Sequence, residues 1–137
     1  MKTDKYCLQF VFSFIGAALS AFFGGFDSLL KALVVFAFVD YISGVTAAVI
    51  NKRLDSATGF NGILKKIFMF ALVGVGHIID TLILGQGSVI RSAVIFFYLS
   101  NEGISMLENI CQTGLPVPEK LKNILNKLKK EDENEAK

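Results

Sequence analysis

Hydrophobic positions along the chain fall into four long blocks separated by short polar stretches. Residues 6–26 carry no charge and would make a helix about 31 Å long, enough to cross the hydrocarbon core of a bilayer. Residues 32–50 lie between Lys31 and Lys52, with Asp40 near their centre. Residues 67–84 lie between Lys66 and Arg91 and enclose His77 and Asp80. Residues 89–110 are strongly apolar only as far as Leu99; Ser100, Asn101, Glu102 and Glu108 follow. The pattern predicts an all-α integral membrane protein with four transmembrane helices, within a unit of residues 1–114.

Beyond the fourth block, Gly114, Pro116 and Pro118 end any helix. From Glu119 to Lys130 the spacing changes. Leu121, Ile124, Leu125 and Leu128 share one face, and lysines fill the other. Residues 115–137 are therefore expected to form a basic amphipathic cytoplasmic helix and a charged tail. The closing EDENEAK run is expected to be disordered. Lys120, Lys122, Lys127, Lys129 and Lys130 would face an anionic membrane surface.

Composition sharpens the membrane reading. Of 137 residues, 53% are hydrophobic and only 19% charged, against about 45–50% and about 25% in soluble domains. The first block is too long for a secretory h-region and is read as a retained helix. The net charge of +2 says little; its placement says more. With four spans and the N-terminus inside, 12 of the 14 basic residues fall on the cytoplasmic side, leaving Lys31 and Arg91 outside. Both ends are then cytoplasmic. Two cysteines, Cys7 and Cys111, make no disulfide framework and are read as reduced thiols.

The candidate chemistry is polar groups held within the membrane. A carboxylate at mid-bilayer costs roughly 2.5–3.5 kcal/mol on insertion scales, so Asp40 needs something to hold it. His77 lies about 15 Å from the inner end of its block, and Glu102 about 16 Å from the outer end of its own. Asp40, His77, Asp80 and Glu102 are the candidate midplane or pore-facing groups. Mutual pairing with no further role is the alternative reading. His77 and Asp80, three apart, share a helix face and suit a local hydrogen bond; one His and one Asp are too few ligands for a metal. No nucleophile–base pair or phosphate-cradling loop appears, so neither catalysis nor a cofactor is expected.

Small residues offer packing surfaces. Gly16, Ser20 and Gly24 lie on one stripe of the first block, and Ser43 and Gly44 on one of the second. Such stripes let backbones approach closely in lipid. Packing within a protomer and packing between protomers are both open.

Two segments carry a specific resemblance. The first is VDYISGVTAAVINKRLDSATGFNGILKKI (39–67), with its intramembrane Asp, the Gly four residues on, the NK pair and the GF-x-G-x-x-KK run. The second is SNEGISMLENICQTGLPVPEKLKNIL (100–125), with NEGIS-x-LEN and GLP-x-P-x-KL. Together they resemble phage holins of the toxin-secretion/phage-lysis family of clostridia and their prophages. The resemblance covers about residues 29–130 and assigns no pore residue. It implies a homo-oligomer that opens the bacterial cytoplasmic membrane and releases endolysin, or in some clostridia a large toxin, as cargo. The partners expected are the chain itself and the bilayer, with no nucleic acid. A small ion or proton channel or transporter, and an antiholin that restrains a partner holin, are the competing readings.

Overall fold

The computed structural model describes residues 2–135. Its elements are five helices: α1 (Lys2–Phe23), α2 (Ser28–Ile50), α3 (Ser56–Leu82), α4 (Val89–Gln112) and α5 (Glu119–Glu135). Among the described residues there is no strand. Three helices, α1 to α3, are long and apolar enough to cross a membrane; α4, with its charges, is not so by composition.

Helix ends explain where the boundaries depart from the hydrophobic blocks. α1 stops short of residue 26 because Gly24 and Gly25 adopt left-handed backbone (φ 76° and 98°). The Gly25 N–H then bonds the Ser20 carbonyl at 2.8 Å, closing the last turn. α2 starts early because the Asp27 carboxylate accepts the Leu30 N–H at 3.0 Å, a side-chain N-cap. α3 differs most. Its apolar block begins only at residue 67. Asp55 instead caps the Ala57 and Thr58 N–H groups and accepts the Thr58 hydroxyl, so the helix begins eleven residues sooner. These bonds hold the exposed Asp55 carboxyl below its ordinary pKa, the Thr58 hydroxyl bond contributing most.

α2, α3 and α4 form the bundle, with α2 and α4 most closely paired, while α1 touches α3. We call the end with the α1–α2 and α3–α4 loops the upper end, and the end with the α2–α3 loop the lower. The core is Leu30, Leu33 and Ala37 of α2, Met69 and Val73 of α3, and Ile95 of α4. Two glycines of α3 allow close approach. A side chain at Gly74 would collide with the Phe22 ring of α1, and one at Gly76 would lie 3.1 Å from the Arg91 backbone of α4.

α5 packs against α4. It continues to Glu135 through most of the run expected to be disordered, where Glu131, Glu133 and Glu135 are good helix formers. Leu121 and Ile124 remain exposed. Lys129, Leu125 and Leu128 lie outside the residues whose side chains are described, as do the last two residues of the tail.

Candidate functional site

Two polar layers cross the bundle, and the apolar core separates them. All three helices repeat the order: Asp27, Leu30–Ala37, Asp40 along α2; Asp80, Val73–Met69, Lys66 along α3; Arg91, Ile95, Glu102 along α4.

The lower layer is ionic. Lys66 Nζ donates to Asp40 Oδ2 at 2.7 Å and also to Glu102 Oε2, so one ammonium ties α2 to α4 through α3. The side chains are 12–18% exposed. Asn109, two turns down α4 from Glu102, donates its amide to Asp40 Oδ1 (3.1 Å), the Asp40 carbonyl (3.2 Å) and Ser43 Oγ (3.2 Å). This is what holds Asp40. In lipid an unpaired carboxylate would be costly, and here each oxygen has a partner. With two carboxylates and one ammonium, the layer carries a formal charge of −1.

A cavity of about 260 Å³ lies below this layer. Asp40, Tyr41, Ser105 and Asn109 are among its walls, and Arg53 and Asp55 of the α2–α3 loop edge it. Arg53 also reaches Gln112 at 3.5 Å.

The upper layer is built from backbone ends. Asp80, fully buried, accepts the Ile90 and Arg91 N–H groups at 2.9 and 2.8 Å. It therefore caps α4 from a neighbouring helix, while the local N-cap residue, Ser88, makes no such bond. Arg91, 2% exposed, donates Nε to the Phe23 carbonyl and Nη2 to the Gly25 carbonyl, and pairs with Asp27 at 2.7 Å. It ties the C-terminus of α1 to the N-terminus of α2. The guanidinium holds the Asp27 carboxyl below its ordinary pKa, ahead of the opposing effect of burial.

The expected site residues separate between these layers. Asp40 and Glu102 meet in the lower one. Asp80 is not near them; it caps α4 at the upper end. His77 packs over Gly24, and among the described residues no hydrogen bond joins it to Asp80, whose oxygens are committed to α4. Lys66, read from sequence as the edge of a loop, was missed. The overlooked signal was the N-cap at Asp55, which brings Lys66 into the middle of a helix.

The small-residue stripes also part. Gly44 faces Asn109, so Ser43 and Gly44 pack within the protomer. Gly16 faces nothing within 4 Å. Gly24 lies beyond the end of α1, in the turn rather than on the helix stripe. Of the tail lysines, Lys122 is half-buried and 3.4 Å from Glu119, while Lys120, Lys127 and Lys130 are exposed.

The profile of the bacteriophage holin family matches residues 17–130, a stretch that contains both polar layers and the core. The chain belongs to that family. It is thus a holin-like membrane protein, of a family that is not enzymatic. Relatives include an uncharacterized protein of Listeria monocytogenes, 49% identical over 118 residues (86% of this chain, 84% of the relative). Another, from Listeria innocua, is 51% identical over 110 residues (80% and 78%). An uncharacterized 14.9 kDa protein of Clostridium perfringens is 39% identical over 114 residues (83% and 86%). No solved structure matches.

Proposed function

We propose that this chain is a holin, whose copies assemble in the bacterial cytoplasmic membrane into a lesion wide enough to release a folded protein. The holin-family match over residues 17–130 carries this reading. In it α4 is the fourth span. Three of its polar residues, Arg91, Glu102 and Asn109, bond to other parts of the bundle, while Glu108 near its lower end is exposed. Val89, Phe96 and Phe97 remain on its exposed surface. A helix too charged to enter lipid alone enters as part of the bundle.

Charge placement supports both termini lying inside. Lys2 and Lys5, then Lys52, Arg53 and Lys65, then the five tail lysines from Lys120 to Lys130 fall on the lower side. Lys66 now belongs to the bundle, and Lys31 and Arg91 to the upper end, so the bias survives the correction.

In the proposed mechanism, copies hide their charged layer until crowding drives association. α1 is the natural surface for it, since the bundle leaves Gly16 uncovered and Tyr6, Phe10, Phe12 and Phe14 exposed. The cargo is an endolysin or a toxin, which passes without binding. The lower ionic layer favours a second reading, a channel for small ions. Expression of the chain alone in a reporter cell separates the two. Escape of a cytoplasmic enzyme of tens of kilodaltons is expected; collapse of the membrane potential with that enzyme retained would establish the channel instead. Neither effect, with the chain present in the membrane, would leave an antiholin.

A further inference from the structure

We propose that each protomer contains a water-filled vestibule, open at the α2–α3 loop and ending on the Asp40–Lys66–Glu102 layer, with the apolar core above it as a dry plug. The inference rests on the spanning arrangement proposed above, and it concerns the single subunit rather than the assembled hole.

Three observations carry it. First, the cavity of about 260 Å³ has room for several waters. Second, its walls offer those waters partners. An ordered water needs two to four polar groups, and Asp40, Tyr41, Ser105 and Asn109 supply carboxylate, hydroxyl and amide groups deep inside, while Arg53 and Asp55 supply charge at the exposed mouth. Two glycines keep the passage wide: a Cβ at Gly59 or Gly62 would stand 3.7 or 3.8 Å from the Tyr41 side chain. Third, the route stops at Leu30, Leu33, Val73 and Ile95, which are each 0% exposed and belong to one buried apolar cluster between the two layers. Along α2 the plug from Leu30 to Ala37 is about 10 Å thick.

Depth fits this reading. Asp40 lies about 18 Å from the upper end of α2, and Glu102 about 20 Å from that of α4. In a core about 30 Å thick, the ionic layer thus sits in the lower half, where a short aqueous inlet reaches it. The charge of −1 then rests against water rather than hydrocarbon.

Cysteine reactivity tests the vestibule in full-length protein in native membranes, in a background with Cys7 and Cys111 replaced by Ser. The reacting form of a thiol is the hydrated thiolate. A membrane-impermeant sulfonated thiosulfonate reagent, applied from the cytoplasmic side in inverted vesicles before lysis, is expected to modify Ser105→Cys and Gly62→Cys roughly tenfold faster than Ala37→Cys in the plug or Ile42→Cys on the outer face of α2. Two sites are used so that one disturbed packing contact does not decide the result; correct folding is verified by unfolding in detergent micelles at the parent's midpoint. If both vestibule cysteines react as slowly as Ile42→Cys, the cavity is dry and the proposal falls. If Ala37→Cys and Ile42→Cys react as fast as the vestibule pair, the spanning arrangement falls, and the vestibule with it. Reaction of the vestibule pair only from the opposite side would refute the direction of opening.

Discussion

The upper and lower polar layers contain the same charges, two carboxylates and one cation, yet they are built differently. In the upper layer every charge meets a helix end. Asp80 takes two backbone N–H groups of α4, and Arg91 takes carbonyls at the end of α1. In the lower layer side chains bond mostly to side chains, across three helices, beside a cavity. The upper arrangement cannot change without unravelling a helix terminus. The lower one can exchange Lys66 for water while every helix stays intact. In the assembly proposed above, the bundle would keep a fixed end and an adjustable one.

The largest effect should come from breaking the fixed end. Arg91→Met strands Asp27 and frees the Phe23 and Gly25 carbonyls in a site 2% exposed, while Asp80 keeps its two backbone N–H bonds. A loss of about 2–5 kcal/mol is expected, mainly from the two freed carbonyls, measured by unfolding in detergent micelles. Equal stability of variant and parent would show that the two layers do not differ as described.

Lys66→Met should cost less, about 1–3 kcal/mol, because the stranded Asp40 and Glu102 border a cavity that water can fill. Its functional effect should be the greater, with lysis onset moved relative to the parent. Adding Glu102→Gln to Lys66→Met should restore part of the stability, since the like charges then no longer face each other. Additive losses in that cycle would mean that Lys66 does not bridge the pair.

Gly16→Leu sharpens the contrast between bundle and α1. Nothing lies within 4 Å of a Cβ there, so protomer stability should change by no more than about 0.5 kcal/mol. Oligomer size in detergent and lysis onset should both shift if copies meet through α1. An unchanged oligomer distribution would assign that face to lipid.

The smallest effect is a dependence on pH. Asp27 is depressed below its ordinary value of 3.8 by Arg91. A depressed carboxyl stabilises the fold above its unfolded pKa, and that stability is lost as pH falls through the lower folded value. The melting temperature should therefore drop in acid below about pH 3.8 more in the parent than in Asp27→Asn. Because the carboxylate is 49% exposed, the difference should be small. A variant that loses stability in acid as steeply as the parent would uncouple Asp27 from Arg91.

Hydrophobic blocks were legible because lipid demands long uninterrupted helices, and α2 and α4 appear nearly where the blocks lie. Asp40 and Glu102 were legible because charge in an apolar run must be accommodated. Their shared partner was not. Lys66 stands beside Lys65 after two glycines, which reads as a basic loop until the Asp55 cap is recognised. Asp80 misled in the opposite way: a carboxylate three residues from a histidine suggests a local pair, and no one-dimensional pattern announces a cap donated to another helix. The fate of each small-residue stripe depended on neighbours distant in sequence, Asn109 for Gly44 and open space for Gly16.

The layered order has a consequence for how such chains can vary. The runs from Asp27 to Asp40, Lys66 to Asp80 and Arg91 to Glu102 are anchored at both ends by bonds to one another. Inserting or deleting one residue in any run turns the helix beyond it by about 100°, so only one of the two layers could then remain in register. Single-residue indels between the layers should be poorly tolerated, whereas length changes in the 85–87 loop or beyond Gln112 leave both anchors in place. The protein is, in this sense, a gauge with two fixed marks, free to lengthen only outside them.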